Sequence, residues 1–175
     1  MAELDQKRIE DARRGMRFFW YGTRRGRRGT VVLGGVALAT LWTSSIVCWF
    51  LAPSDTAMWT TFALMGAGLM IYLWVFAVLA VASGGVVGMA DGRLDERQLT
   101  ERRRVYALAH RGTSWMLGIS LVVSFLLMDD GDHVLRIPTA ALFMFLMAAW
   151  TTHMIMPHLV AGWRLPDPPP DDDEA

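Results

Sequence analysis

Several features common in enzymes and secreted proteins are scarce or missing in this chain of 175 residues. It has one cysteine, Cys48, so it can form no internal disulfide. The sequence contains no G-x-S-x-G, H-E-x-x-H, paired C-x-x-C or phosphate-binding G-x-x-x-x-G-K-[ST] pattern. Cys48 also has no charged sequence neighbour that would activate its thiol. We therefore expect that the protein is not an enzyme.

Charged residues are absent from long stretches of the chain. Hydrophobic residues make up 53% of it and the mean hydropathy is +0.29, both high for an average soluble domain. A helix needs roughly 20 apolar residues to cross about 30 Å of hydrocarbon. Four stretches meet or approach this length, the third if Arg111 extends back to the membrane surface. The sequence predicts an all-α integral membrane protein with four transmembrane helices, over about 30–52, 59–83, 105–128 and 137–163.

Proline and tryptophan refine the limits of these spans. Pro138 stands in a tolerated first-turn position of the fourth span, and we expect Pro157 to kink or weaken that helix. Most tryptophans lie near predicted span ends, where amphipathic rings prefer the headgroup zone. Trp42 fits that placement least well. Gly35 and Ala39 form a small-xxx-small pair in the first span, which permits close helix approach, either in packing within the chain or in self-association.

Positive charge is missing from one set of connections and concentrated in the other. Of the 17 Lys and Arg residues, nine precede the first apolar run and six lie between the second and third. The connection between the first two runs has none. Cytoplasmic segments next to membrane helices carry an excess of Lys and Arg. We therefore predict a multi-pass protein of the inner (cytoplasmic) membrane, built as two helical hairpins with both termini in the cytoplasm.

This topology divides the chain into three parts. Residues 1–29 form a basic cytoplasmic segment, in which Ile9, Ala12, Met16 and Phe19 give one apolar stripe typical of an interfacial amphipathic helix. Residues 30–163 form the transmembrane domain, with the cytoplasmic linker 84–112 inside it. Residues 164–175 are rich in Pro and Asp and are predicted to be disordered.

The linker contains the pattern of a helix start. Asp95 can cap the helix, Gln98 can bond back to the cap, and Leu94 can pack on Leu99. We expect this helix to continue through an Arg-rich stretch into the third span. The run Leu94-Asp95-Glu96-Arg97-Gln98, with that Arg-rich, Tyr-containing helix, resembles the DERQ-type segment of small multi-helix membrane proteins of actinobacteria. The resemblance covers about twenty residues and the hairpin–linker–hairpin layout. It implies topology, and no functional residue follows from it.

The candidate contact residues are charged and cytoplasmic in this topology. Basic residues next to an anionic membrane surface contribute about 1 kcal/mol each to binding. The same residues could contact a protein partner, or could act only as a topology signal. Nucleic acid is not predicted as a partner, because acidic residues are interleaved and no binding fold accompanies them. The set comprises Arg13, Arg14, Arg17, Arg24, Arg25, Arg27, Arg28, Asp95, Glu96, Arg97, Arg102, Arg103 and Arg104.

Three histidines are candidates for chemistry within the membrane, where ionisable residues mark functional sites. His153 lies inside the fourth span and could line a path through an oligomer. His110 and His158 lie at the same membrane face and could ligate a haem between two helices. The run 129–133, Asp-Asp-Gly-Asp-His, lacks the twelve-residue ligand spacing of a calcium loop, and we predict no metal site.

These observations favour one function and leave two alternatives. The favoured reading is an accessory, regulatory or scaffold subunit that presents basic cytoplasmic helices to anionic lipid or to a protein partner, without a cofactor. The first alternative is an oligomeric transporter or channel with His153 lining the path. The second is a b-type haem electron carrier that uses His110 and His158.

Overall fold

The structure is a computed structural model that describes residues 23–83, 87, 96–126 and 138–164. These residues form four α-helices: α1 Arg24–Leu51, α2 Asp55–Ala82, α3 Glu96–Leu126 and α4 Thr139–Arg164. Helices α1, α2 and α4 are long and apolar enough to span a membrane. The all-α fold class and the membrane character of the chain are thereby confirmed.

Side-chain caps set the first two helix starts earlier than the apolar runs indicated. The Thr23 hydroxyl accepts a hydrogen bond from the Gly26 amide at 3.2 Å, so α1 begins at Arg24 instead of Thr30. The Ser54 hydroxyl accepts from the Ala57 amide at 3.0 Å, so α2 begins four residues before the predicted 59. Both bonds satisfy amides that have no partner in the first turn. The last four basic residues of the predicted segment 1–29 therefore belong to α1 itself: Arg24, Arg25, Arg27 and Arg28.

The other two helices follow the predictions more closely. Helix α3 begins at Glu96, directly after the predicted cap Asp95, which lies outside the described residues. In α4, the Leu142 amide donates to the Pro138 carbonyl at 3.1 Å, so Pro138 immediately precedes the helix. Helix α4 continues through Pro157 to Arg164.

Helix α1 packs against both α2 and α4, and it carries much of the core. The largest group of buried apolar side chains comprises Ala37, Leu38, Leu41, Tyr72, Val75, Leu79, Ala148, Ile155 and Leu159. Glycines allow the helices to approach here: a Cβ atom on Gly34 would lie 2.7 Å from Leu159 Cδ2, and one on Gly68 would lie 2.9 Å from Leu41 Cδ2. Gly35 and Ala39 are exposed, so this pair makes no close approach among the described helices, and self-association through it stays a prediction. The glycine one position earlier makes the contact.

Helix α3 is attached to the bundle through its middle turns. Its buried residues are Val105, Ala109 and Thr113, and it packs mainly on α4. Beyond Thr113 its side chains are half-buried or exposed up to Leu126. Charged residues extend to Arg111, so the rest of the described helix consists of 15 uncharged residues, 112–126. These 15 residues cover about 22 Å as a helix, less than the roughly 30 Å of hydrocarbon. A membrane span in α3 therefore stays a prediction.

Candidate functional site

The basic residues at the start of α1 divide into two pairs. Arg24 and Arg25 are exposed, whereas Arg27 is buried, with 4% of its surface exposed. The Arg28 guanidinium lies 4.8 Å from the ring centroid of Trp163 on α4, a cation–π contact. Arg27 and Arg28 therefore take part in packing at this end of the bundle, and Arg24 and Arg25 face outward. Arg13, Arg14 and Arg17 lie outside the described residues.

On α3 the charged residues lie away from the buried stripe. Glu96, Arg97, Arg103 and Arg104 are exposed. Arg102 is half-buried, and its guanidinium lies 5.6 Å from the Tyr106 ring centroid. Val105 and Ala109, the residues that attach this part of α3 to the bundle, are small and apolar. The structure therefore leaves a basic surface, defined here as Arg97, Arg103 and Arg104, open on α3.

The three candidate histidines occupy different environments. His153 is exposed and lies 14 residues after Thr139 and 11 before Arg164, near the middle of α4. His158 is buried, and its ring centroid lies 4.6 Å from that of Phe76 on α2. His110 is exposed on α3.

Helix geometry separates the pair proposed for haem. Helix α3 approaches α4 at Met156, since a Cβ atom on Gly112 would lie 3.7 Å from Met156 Cε. Residues two apart on an α-helix point about 200° away from each other. His158 consequently faces α2 while Met156 faces α3. The structure does not bring His110 and His158 together across the α3–α4 contact.

An open apolar cleft lies where α3 diverges from the bundle, and sequence reasoning missed it. Its volume is about 520 Å³. Helix α1 contributes Leu38 and Trp42, α4 contributes Thr152 and Met156, and α3 lines the remaining side with residues between Gly112 and Ser120. The one available signal was Trp42, whose place in the middle of a span suits an internal contact better than a headgroup.

The polar atoms in the cleft wall are already hydrogen-bonded. Trp42 Nε1 donates to Thr152 Oγ1 at 3.2 Å, and Thr152 Oγ1 donates to the Ala148 carbonyl at 2.7 Å. Ser120 Oγ donates to the Met116 carbonyl at 2.9 Å. The Trp42 ring also packs edge-on against Phe145, with centroids 5.3 Å apart. The cleft thus presents mainly hydrocarbon to whatever enters it.

Within the part of the chain that the structure describes, no group of three or more His, Cys, Asp or Glu side chains could hold a metal ion. The chain matches no protein-family model, no curated protein and no solved structure. The resemblance carried by residues 94–98 therefore stays a prediction. Arguments about function rest on the basic surface of α3, the histidines and the cleft.

Proposed function

We propose that the chain is a non-enzymatic accessory or regulatory subunit of the cytoplasmic membrane, and that α3 presents its basic surface to anionic lipid or to a protein partner. One observation carries the proposal. Helix α3 is held to α4 by Val105 and Ala109, and its exposed arginines take no part in that contact. They are available to another molecule.

In this proposal α3 crosses the membrane as the third of four spans, with both chain termini in the cytoplasm. Its uncharged residues, 112–126, begin directly after Arg111. Arg111 is exposed and can extend to the headgroup zone, so residues 96–111 lie at or below the cytoplasmic membrane surface. The density of Lys and Arg in this linker supports the orientation.

The test compares two pairs of exposed arginines. Arg103→Glu with Arg104→Glu reverses charge on α3, and Arg24→Glu with Arg25→Glu reverses equal charge at the start of α1. The native chain and both variants are purified in mild detergent, and the proteins that co-purify with each are compared. Each is also reconstituted, and its binding of a soluble phosphatidylglycerol probe is measured. Selective loss of a stoichiometric partner in the α3 variant supports partner docking. Equal weakening of lipid binding by both variants supports general attraction to anionic lipid. If the α3 variant alters neither measurement, the proposal is wrong.

A second candidate function follows from His153. An ionisable side chain exposed near the middle of a candidate span is costly in hydrocarbon. A second copy that covered it would place an imidazole, which can donate and accept a proton, inside an oligomer. Proton flux into proteoliposomes would then fall to background in His153→Ala and persist in Met154→Ala, a change at the neighbouring exposed residue. Equal flux in the native chain and His153→Ala removes this candidate.

A further inference from the structure

We infer that the cleft between α1, α3 and α4 holds one acyl chain of an anionic phospholipid in the membrane leaflet on the Arg111 side, and that Arg111 contacts its headgroup. The inference rests on the proposed placement of α3 as a membrane span. It adds a defined lipid site to a surface that otherwise attracts lipid only by charge.

The position and length of the cleft fit one leaflet. The α3 wall runs from Gly112 to Ser120, and the eight steps between these residues correspond to about 12 Å along the helix. Half of the hydrocarbon core is about 15 Å thick. Because Arg111 directly precedes Gly112, the cleft begins at the level of a positive charge and extends toward the bilayer centre. A headgroup at Arg111 places the chain attached to it alongside the opening.

The lining of the cleft favours a hydrocarbon chain over a polar ligand. Its polar wall atoms, Trp42 Nε1, Thr152 Oγ1 and Ser120 Oγ, already take part in hydrogen bonds. A ligand that required polar partners would find few, whereas a hydrocarbon chain requires none.

Charge supplies the selectivity. Bilayer hydrocarbon is as apolar as the cleft, so moving a chain from one to the other gains little by itself. Arg111 is exposed and lies one helical turn before Trp115, a cleft residue on the same face of α3. Its guanidinium can therefore stay beside the headgroup of a lipid whose chain lies along Trp115. An anionic headgroup is favoured over a zwitterionic one for this reason.

The experiment uses the full chain in phosphatidylcholine vesicles that contain phosphatidylglycerol with a diazirine halfway along one acyl chain. After photolysis, the labelled residues are mapped by peptide mass spectrometry. Residues 112–120 and 152–156 are expected to carry more adducts than the exposed residues 121–126. A phosphatidylcholine probe with the same diazirine should show no such preference.

Three variants test the assignment. Ser120→Trp fills the cleft and should remove the enrichment at 152–156, whereas Leu121→Trp, at a neighbouring position that is 72% exposed, should preserve it. Arg111→Gln should lower the phosphatidylglycerol adducts roughly fivefold, as expected for one lost basic residue. Arg111→Gln leaves the packing intact, so it decides the matter even if Ser120→Trp does not fold.

Several results would overturn the inference. They are adducts spread evenly over all exposed apolar residues, equal labelling by the two probes, or unchanged labelling in Arg111→Gln. A cleft covered by a second copy would give a dimer by native mass spectrometry and no enrichment at 112–120, which also contradicts it. The Arg103 and Arg104 variants are independent of these outcomes, so failure here is distinguishable from failure of the proposed function.

Discussion

Trp42 on α1 donates its indole hydrogen to the Thr152 hydroxyl on α4, a bond of 3.2 Å between residues 110 positions apart. A second hydroxyl joins the same two helices, since Ser45 Oγ donates to the Ala141 carbonyl at 3.5 Å. Other hydroxyls bond within one helix, such as that of Thr43, which donates to the Ala39 carbonyl at 2.8 Å. The Trp42–Thr152 bond therefore ties α1 to α4 in a way that local bonds do not. It also forms one wall of the cleft, so it links the stability of the bundle to the proposed lipid site.

The first prediction concerns this bond. Thr152→Val keeps the shape of the side chain and leaves the half-buried Trp42 indole without its acceptor, which should lower the free energy of unfolding in detergent by about 1 kcal/mol. The Thr43 hydroxyl bonds only within α1. Thr43→Val should therefore change the free energy of unfolding by no more than a few tenths of a kcal/mol. A double-mutant cycle with Trp42→Phe measures the pairwise term. Strict additivity of the two changes would show that the bond contributes nothing.

Two adjacent glycines provide the second prediction. A side chain on Gly34 would meet Leu159 Cδ2 at 2.7 Å and Val75 Cγ1 at 3.0 Å, whereas one on Gly35 would meet nothing within 4 Å. Gly34→Val should therefore lower the free energy of unfolding by about 1–3 kcal/mol through overpacking. Gly35→Val, with the same change in helix propensity, should leave it nearly unchanged. The free energies of unfolding of the two variants are compared in mixed micelles. Equal effects would show that Gly34 is not a close contact of α1.

The third prediction concerns the attachment of α3. Ala109 is 3% exposed, and Ala107 on the same helix is exposed. Ala109→Phe should push α3 away from α4, and Ala107→Phe should not. A cysteine pair, Gly112→Cys with Met156→Cys in a Cys48→Ser background, reports the separation of the two helices when it is joined by a short bis-maleimide, since the end of the Met156 side chain lies within 4 Å of a Cβ atom on Gly112.

Cross-linking between these cysteines should be efficient in the parent and in Ala107→Phe, and several-fold slower in Ala109→Phe. If the parent and both variants cross-link at the same rate, Ala109 does not hold α3 in place.

The helices could be predicted from the sequence better than their faces. Apolar runs and caps depend on local composition, so α1, α2 and α4 were found, and α3 begins where the Asp95-to-Leu99 pattern placed it. In a membrane the outward faces of a helix are as apolar as the inward ones, so periodicity does not show which face packs. For this reason the pattern selected Gly35 and Ala39, where Gly34 makes the contact.

The cleft could not be predicted for a related reason. It depends on how α3 lies against α1 and α4 beyond Thr113, and no single residue of α3 signals that placement. The haem hypothesis likewise placed His110 and His158 at one height and did not include the rotation that turns His158 toward Phe76.

The last prediction tests whether α3 crosses the membrane. With Cys48 replaced by Ser, one cysteine is introduced at Gln98, before the uncharged part of α3, or at Asp132, in the connection between α3 and α4. If α3 spans, a membrane-impermeant maleimide added to intact cells labels Asp132→Cys and leaves Gln98→Cys unlabelled until the cells are opened.

Thr56→Cys, exposed near the start of α2, is the control for the outer side and should label in intact cells. Helices α1 and α2 form a hairpin, so the position of Thr56 does not depend on α3. If Gln98→Cys and Asp132→Cys behave alike, α3 lies on one side of the membrane. The uncharged residues 112–126 would then lie flat at the interface, and both the four-span topology and the lipid cleft would be wrong.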